Sequence, residues 1–500
     1  MLAYLPYIFS QLIQPLNLLL MVAGTAVGIV FGAIPGLSGT MAVMLFMPLT
    51  YSMDSSTAII FMLALWIGGC SGAFIGSVLL GIPGSASAVA TCWDGHPMAK
   101  KGQASKALAI GMTASFIGTF FSAIIGGLLA EAVADFAFAM GPWEYSALCL
   151  VAMTMVLAIS KGNMFKGLAS TCIGITLATV GYSPVDAEAR FTFDNMYLLG
   201  GLGMIVVLTG IFAVSHILVT FGKGFDRPPE VSREGLRGFG LTLSDIKSEL
   251  TNIVRSFLIG LGIGFLPGMG SGLSNLVAYS TAKNASKHPE EYGHGAAGGI
   301  WAPEVANNAA IGGAMIPMAA LGIPGDSTTA LLIGALTIHG LEMGPMVFKN
   351  SGNIVYLMFV TVAVVAALVL LMQAVCKRWF PYILKVPSWY MYSALLVICL
   401  ASAYVDSGNL YKCGMMMVFA AVGILMTLGD LPASPLILAF ILTPTLETKT
   451  LQAFQSVPKW TEFFTRPVSG VLMVIAILCI FSPILKAVYS KIRPSKAAAN

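Results

Sequence analysis

The chain has 500 residues, of which 57% are hydrophobic and only 10% charged, with a formal net charge of +4. Soluble globular proteins carry roughly 25% charged residues, so this chain has too few to cover a water-facing surface of its size, and it reads as an integral membrane protein. Its eight cysteines form no C-x-x-C pair and indicate neither a metal site nor a disulfide framework, and no basic patch with interleaved aromatics suggests a nucleic acid.

In chain order, the uncharged start "MLAYLPYIFSQLIQPLN" lacks the basic region of a signal peptide, so no cleavage is expected. The apolar run that follows is interrupted at "GAIPGLSGT" (32–40). Apolar segments then occupy about 57–80, 107–130, 141–160, 167–181 and 197–221. A polar stretch at 222–255 holds Lys223, Arg227, Arg233, Arg237, Lys247 and Arg255. A second interrupted run carries "GFLPGMGSG" (264–272), followed by apolar segments at 296–321, 352–375, 389–404, 413–428, 433–446 and 468–489. Most of these can cross ~30 Å of hydrocarbon as helices; barrel strands would be short and alternating. The expected class is therefore an all-α polytopic membrane protein.

The interruptions repeat. "GIVFGAIPGLSG" (28–39) matches "GLGIGFLPGMGSG" (260–272), with Pro267 falling 232 positions after Pro35. "GAFIGSVLLGIPGSAS" (72–87) matches "GAMIPMAALGIPGDST" (313–328), with Pro324 falling 241 positions after Pro83. Charge suggests how the copies lie. Between its motifs the first copy has no Lys or Arg in "YSMDSST", whereas the second has Lys283 and Lys287. After the second motif the bias reverses, with Lys100, Lys101 and Lys106 in the first copy and only Lys349 in the second. Lys and Arg mark cytoplasmic loops, so equivalent loops are expected on opposite sides, as in inverted-topology repeats. The division is 1–222 for the first repeat, 223–255 for a cytoplasmic linker and 256–500 for the second repeat. Each copy would begin with a re-entrant hairpin, its tip at 35–39 or 267–271, and continue into a helix broken near 81–87 or 322–328. The C-terminal "KIRPSK" points to the cytoplasm.

Proline removes an N–H donor and glycine permits unusual dihedrals, so each Pro-Gly motif should end a helix within the membrane. The freed backbone groups must then be buried in protein or line a polar cavity. Each break exposes a half-helix N-terminus that attracts anions. The candidate substrate-binding residues are Pro35, Gly36, Leu37, Ser38 and Gly39 at the first tip, with Pro83, Gly84, Ser85 and Ser87 in the first broken helix. Their counterparts are Pro267, Gly268, Met269, Gly270 and Ser271, with Pro324, Gly325, Asp326, Ser327 and Thr328. Asp326 could ligate a coupling Na⁺, carry a proton, or cap the half-helix after it. Asn307 and Asn308, in "WAPEVANNAAIGG" beside Glu304, either glue helices or serve substrate and ion coupling. Lys100 and Lys101, beside Asp94 and His96, read as a solvated loop.

These motifs, together with "GIPGSASAVATCWDGHPMAKKGQASKALAIG" (81–111), "GIWAPEVANNAAIGGAMIPMAALGIPGDSTTALLIGALTIHG" (299–340) and "SPLILAFILTPTLE" (434–447), resemble the large membrane subunit of the tripartite tricarboxylate transporters (TctA family) over nearly the whole chain. Two local departures are "LEMGPMVF", which lacks a second proline before Gly344, and Thr443 where glycine is usual. The resemblance implies an ion-driven symporter of the bacterial inner membrane, with no cofactor beyond a coupling Na⁺ or H⁺. It implies two partners, a small membrane subunit and a periplasmic solute-binding protein that delivers di- or tricarboxylates such as citrate. The implied fold is similar to elevator-type ion transporters. A stand-alone carboxylate permease or channel is the alternative. A remote one is an intramembrane serine protease, since "GLSG" (36–39) has the GxSG form; Ser38 would then need His216 or His339 as its base.

Overall fold

Proline and glycine stop the helices where the sequence places them. The computed structural model describes residues 4–159, 164–224, 238–405 and 408–492, so Arg227, Arg233, Arg237 and most of "KIRPSK" lie outside the described residues. Helix Pro15–Ala33 ends before Pro35; a turn with Gly36 at φ 88° leads into Gly39–Phe46. Helix Leu250–Phe265 ends before Pro267; Gly268, at φ 77°, turns the chain into Gly270–Ala285. The two broken helices match more closely still. Ser55–Leu80 and Gly298–Leu321 each close on a left-handed glycine, Gly81 or Gly322, both at φ 70°. Each resumes after a Pro-Gly loop, as Ala86–Ala88 and Val89–Met98 in one case and Ser327–Ile338 in the other. A glycine at this position satisfies the last carbonyls without a Cβ penalty.

Almost every described residue in an element is helical; a two-residue antiparallel pairing, Gly181–Tyr182 with Ala189–Arg190, is the exception. Among the described residues, six helical stretches are long and apolar enough to cross a membrane: Pro15–Ala33, Ser55–Leu80, Ala86–Phe138, Val206–Lys223, Val347–Ile383 and Leu410–Leu428. The chain is thus a mostly helical membrane protein with several apolar spans.

Contacts divide the chain into two compact units. One comprises Met1–Ala137 with Ile205–Val422, and the other Phe138–Met204 with Gly423–Asn500. The larger holds both matched motif pairs. Ser55–Leu80 and Gly298–Leu321 are buried over nearly their whole length, and around them Trp66, Trp301, Phe74 and Phe359 are fully enclosed. Lipid gives helices no hydrophobic reason to associate, so close backbone approach through small residues does that work. A Cβ added to Gly28 would lie 2.4 Å from the Leu65 carbonyl oxygen; one on Gly260 would lie 2.3 Å from that of Ala306. Gly32 meets Gly69 as Gly264 meets Ala310, and Gly72 meets Ile29 as Gly313 meets Leu261. In every case the partners are displaced by the same 232 and 241 positions as the motifs, so the two copies share their packing as well as their letters.

Two groups of loops form within this unit. Thr50 Oγ1 lies 3.2 Å from His339 Nε2, and the Ser55 hydroxyl donates to the His339 carbonyl, which joins the loop before Ser55 to the end of Ser327–Ile338. In the other group, Lys101 Nζ donates to the His294 carbonyl at 2.8 Å, and Lys106 pairs with Asp245 at 2.9 Å. The Lys106 ammonium, helped by Thr242, holds the Asp245 carboxyl down to about 2. Asp94 completes this group. It is fully buried, and one carboxylate oxygen accepts the N–H groups of Gly293, Gly295 and Ala296 at 2.7–2.8 Å, while the other accepts the Tyr279 hydroxyl.

The smaller unit packs Pro142–Ile159, Met164–Ala178, Ala433–Ser456 and Pro467–Ile492. Trp143 stacks edge-on with Phe454 and Phe463, and Arg190 forks onto both oxygens of Glu447 at 2.7 and 3.1 Å. A cavity of about 370 Å³ lies beside Pro444 and Glu447.

Candidate binding site at the four helix breaks

Each turn is built from the residues that break its helix. At the first tip the Leu37 N–H bonds the Ile34 carbonyl, and Ser38, in extended conformation, accepts the Met41 N–H on its hydroxyl at 3.2 Å. Ser38 is thus the N-cap of the helix that Gly39 begins. At the second tip the equivalent position is Gly270, and the N-cap is Met269, which supplies no side-chain bond. Here Ser271 lies one position inside the helix, with its carbonyl accepting from Ser274. The Gly268 N–H donates to the Gly325 carbonyl at 2.8 Å, tying the tip to the loop of its own broken helix. Gly84 approaches the Gly32 carbonyl as Gly325 approaches that of Gly264; a Cβ would lie 2.0 Å away in one case and 2.8 Å in the other.

The loops of the broken helices differ in the same way. Asp326 forms a capping box: its carboxylate accepts the Thr329 N–H and hydroxyl, both at 2.8 Å, while the Thr329 hydroxyl accepts the Asp326 N–H. Of the three roles open to Asp326, the cap is the one its contacts fill. Ser85, the matching residue, makes no cap bond and pairs its hydroxyl with that of Ser87 at 2.7 Å.

The copies then cross. Thr40 Oγ1 lies 2.6 Å from Thr328 Oγ1, joining the first tip's helix to the second broken helix. Gly272, 232 positions after Thr40, lies against Ala86 of the first broken helix. The structure therefore brings all four motifs together in two crossed pairs. In one pair both helix N-termini are closed by side chains, Ser38 and Asp326. In the other, neither Met269 nor Ser85 supplies a cap, although Asn275 accepts the Ala90 N–H in the first turn of Val89–Met98. First-turn amides at a positive dipole end attract an anion, and of the four ends the one at Gly270 is where no side-chain bond is found among the described residues.

Glu304, Asn307 and Asn308 lie on Gly298–Leu321, all fully buried. Asn308 is saturated: its oxygen accepts from Ser71 and Thr119, and its nitrogen donates to Ser115 and the Glu304 carbonyl. It is a structural cross-brace. Asn307 has no partner on either amide atom, and Glu304 has none on Oε2. Sequence reading singled out neither Thr91, whose hydroxyl donates to Glu304 Oε1 at 2.5 Å, nor Asn275, which accepts the Ala90 N–H at 3.0 Å. Their only signal was a polar side chain on an otherwise apolar helix face. Among the described residues no histidine hydrogen-bonds Ser38. His339 is engaged with Thr50, and His216 faces Gly36 and Tyr392.

The family model for the tripartite tricarboxylate transporter TctA family matches residues 18–438. The chain belongs to the TctA family. The match spans all four breaks, and the family expected from the motifs is the one found. Similar to this TctA chain are two proteins of Agrobacterium vitis. One is an uncharacterized 52.8 kDa protein in the TAR-I ttuC' 3' region, 28% identical over 97% of this chain and 96% of its own length. The other is an uncharacterized protein in the TAR-II ttuC' 3' region, 31% identical over 46% of this chain and 95% of its own. No solved structure matches the chain.

Proposed function

We propose that this TctA chain is the large permease subunit of a binding-protein-dependent transporter that takes up di- or tricarboxylates, citrate among them, across the bacterial inner membrane. A periplasmic solute-binding protein hands over the substrate and a small membrane subunit completes the complex. Uptake is coupled to Na⁺ or H⁺. The two copies act as inverted repeats, and the domain that carries the four breaks moves across the bilayer as an elevator.

The observation that carries this reading is the crossed meeting of four helix breaks, one of them, at Gly270, with an N-terminus that no side chain caps, inside a unit built from apolar spans. Irregular backbone at membrane depth is tolerated where it is buried or lines a cavity, and paired discontinuous helices with N-termini turned to an anion are a recurring transporter device. Loop charge supports the inversion. Lys100, Lys101 and Lys106 of the first copy share a loop group with the 286–297 segment of the second, whereas the lysine-free 51–57 loop meets the His339 end.

The test is uptake of a labelled carboxylate by proteoliposomes supplied with the cognate binding protein. Ser85→Ala and Ser271→Ala should raise KM about fivefold or more, with Ser38→Ala and Asp326→Ala also impaired through loss of a cap. Unchanged affinity in all four rejects the site. Labelled substrate inside should exchange with unlabelled substrate outside; an open pore would give no such trans-stimulation.

A further inference from the structure

Glu304 is a carboxyl group sealed inside the larger unit, and among the described residues no Lys, Arg or His forms an ion pair with it. Removing an ion of this kind from water costs several kcal/mol unless an opposite charge accompanies it. The surroundings supply hydroxyls and amides instead. Thr91 donates to Oε1 at 2.5 Å, and the Ser115 hydroxyl and the Asn307 side chain lie against the carboxyl. Buried polar side-chain atoms normally have partners. The Asn307 side chain, three residues later on the same helix, lies beside the Glu304 carboxyl, yet neither its amide atoms nor Glu304 Oε2 find a partner within 3.5 Å. Next to them Asn308 is fully bonded.

We propose that Glu304 and Asn307, with the Thr91 hydroxyl, form a buried site for one Na⁺ ion. One carboxylate balances one positive charge, and carboxylate, amide and hydroxyl oxygens are the donors that hard cations take. A divalent ion would remain under-neutralised by a single carboxylate, and among the described residues no group of three acidic, His or Cys side chains gathers to hold one. The proposal rests on the ion-coupled reading above and gives the coupling a route. Thr91 belongs to Val89–Met98, the helix resumed after the Pro83–Ser87 loop, and the adjacent Ala90 N–H is held by Asn275 of the second tip's helix. An ion on Glu304 therefore fixes the start of the helix that resumes after the first broken-helix loop of the proposed carboxylate site.

The experiment is equilibrium binding of ²²Na⁺ to the purified full-length chain, without carboxylate or binding protein, at constant ionic strength with choline as the replacement cation. Wild type should bind Na⁺ saturably; Glu304→Gln should abolish binding, and Asn307→Ala and Thr91→Val should weaken it about tenfold or more. Absence of saturable binding to wild type overturns the proposal, as does binding retained by a monodisperse Glu304→Gln protein. If that variant does not fold, unchanged affinity in both Asn307→Ala and Thr91→Val overturns it. Uptake driven by a pH gradient with no Na⁺ bound would assign Glu304 to a proton and equally reject the sodium site. Because no carboxylate is present, this result stands or falls separately from the substrate reading.

Discussion

At the scale of single residues, Asp94 is the one to which the sequence assigned no role. It is the most heavily hydrogen-bonded carboxylate among the described residues, taking three backbone amides and a phenol. Three N–H groups and a phenol converge on this one side chain, and a buried donor left without its acceptor costs about 1–3 kcal/mol. Asp94→Ala would strand these donors in a buried place, so it should destabilise the larger unit by about 3–5 kcal/mol. Thermal unfolding of the purified variant checks this, and Asp94→Asn should recover part of the loss because one oxygen acceptor remains. A melting temperature within a degree or two of wild type would remove Asp94 from its anchoring role. No pattern in a single sequence announces such a residue, because its partners are backbone groups about 200 positions away.

At the scale of helices, much was legible and the reason is local. Proline cannot donate and Gly81 or Gly322 can adopt φ 70° without strain, so the four breaks follow from a few letters each. Caps were less legible. Ser38 and Asp326 carry capping bonds, whereas Ser85 and Met269 do not, although the motifs around them match. The one-residue difference between Ser38, which aligns with Gly270, and the serine at 271 decides which helix end stays open. Helix faces were illegible for another reason: helices that are apolar all round carry no amphipathic stripe to read. Close packing supplies the missing information, and it predicts a contrast between neighbouring glycines. A methyl on Gly260 would meet the Ala306 carbonyl, whereas Gly262, two residues on, has nothing within 4 Å. Gly260→Ala should therefore cost about 1–3 kcal/mol by forcing two helices apart. Gly262→Ala should be neutral or stabilise by up to about 1 kcal/mol through helix propensity. Melting curves of the two variants side by side check the pair; equal shifts would mean that the duplicated glycine contacts do not hold the helices together.

At the scale of the whole chain, the two compact units cut across the repeats, since each takes residues from both halves of the sequence. Composition could not reveal that division, because both units are equally apolar. What sequence did carry was the reversal of loop charge, and the contacts give that reversal a spatial partner. The lysines after the first copy's second motif share a loop group with the segment that follows Lys283 and Lys287 in the second copy. If positive loops stay in the cytoplasm, that whole group faces the cytoplasm and the Thr50–His339 group faces outward. The test is cysteine labelling in intact cells, in a background lacking the eight native cysteines. A membrane-impermeant maleimide added outside should modify Met53→Cys, and should reach Ser286→Cys only after the membrane is opened. Because these two positions occupy corresponding places between the motifs of the two copies, opposite accessibility is what inverted repeats require. Equal labelling from outside would mean that the copies run parallel, and a site built from two mirrored halves would have to be abandoned.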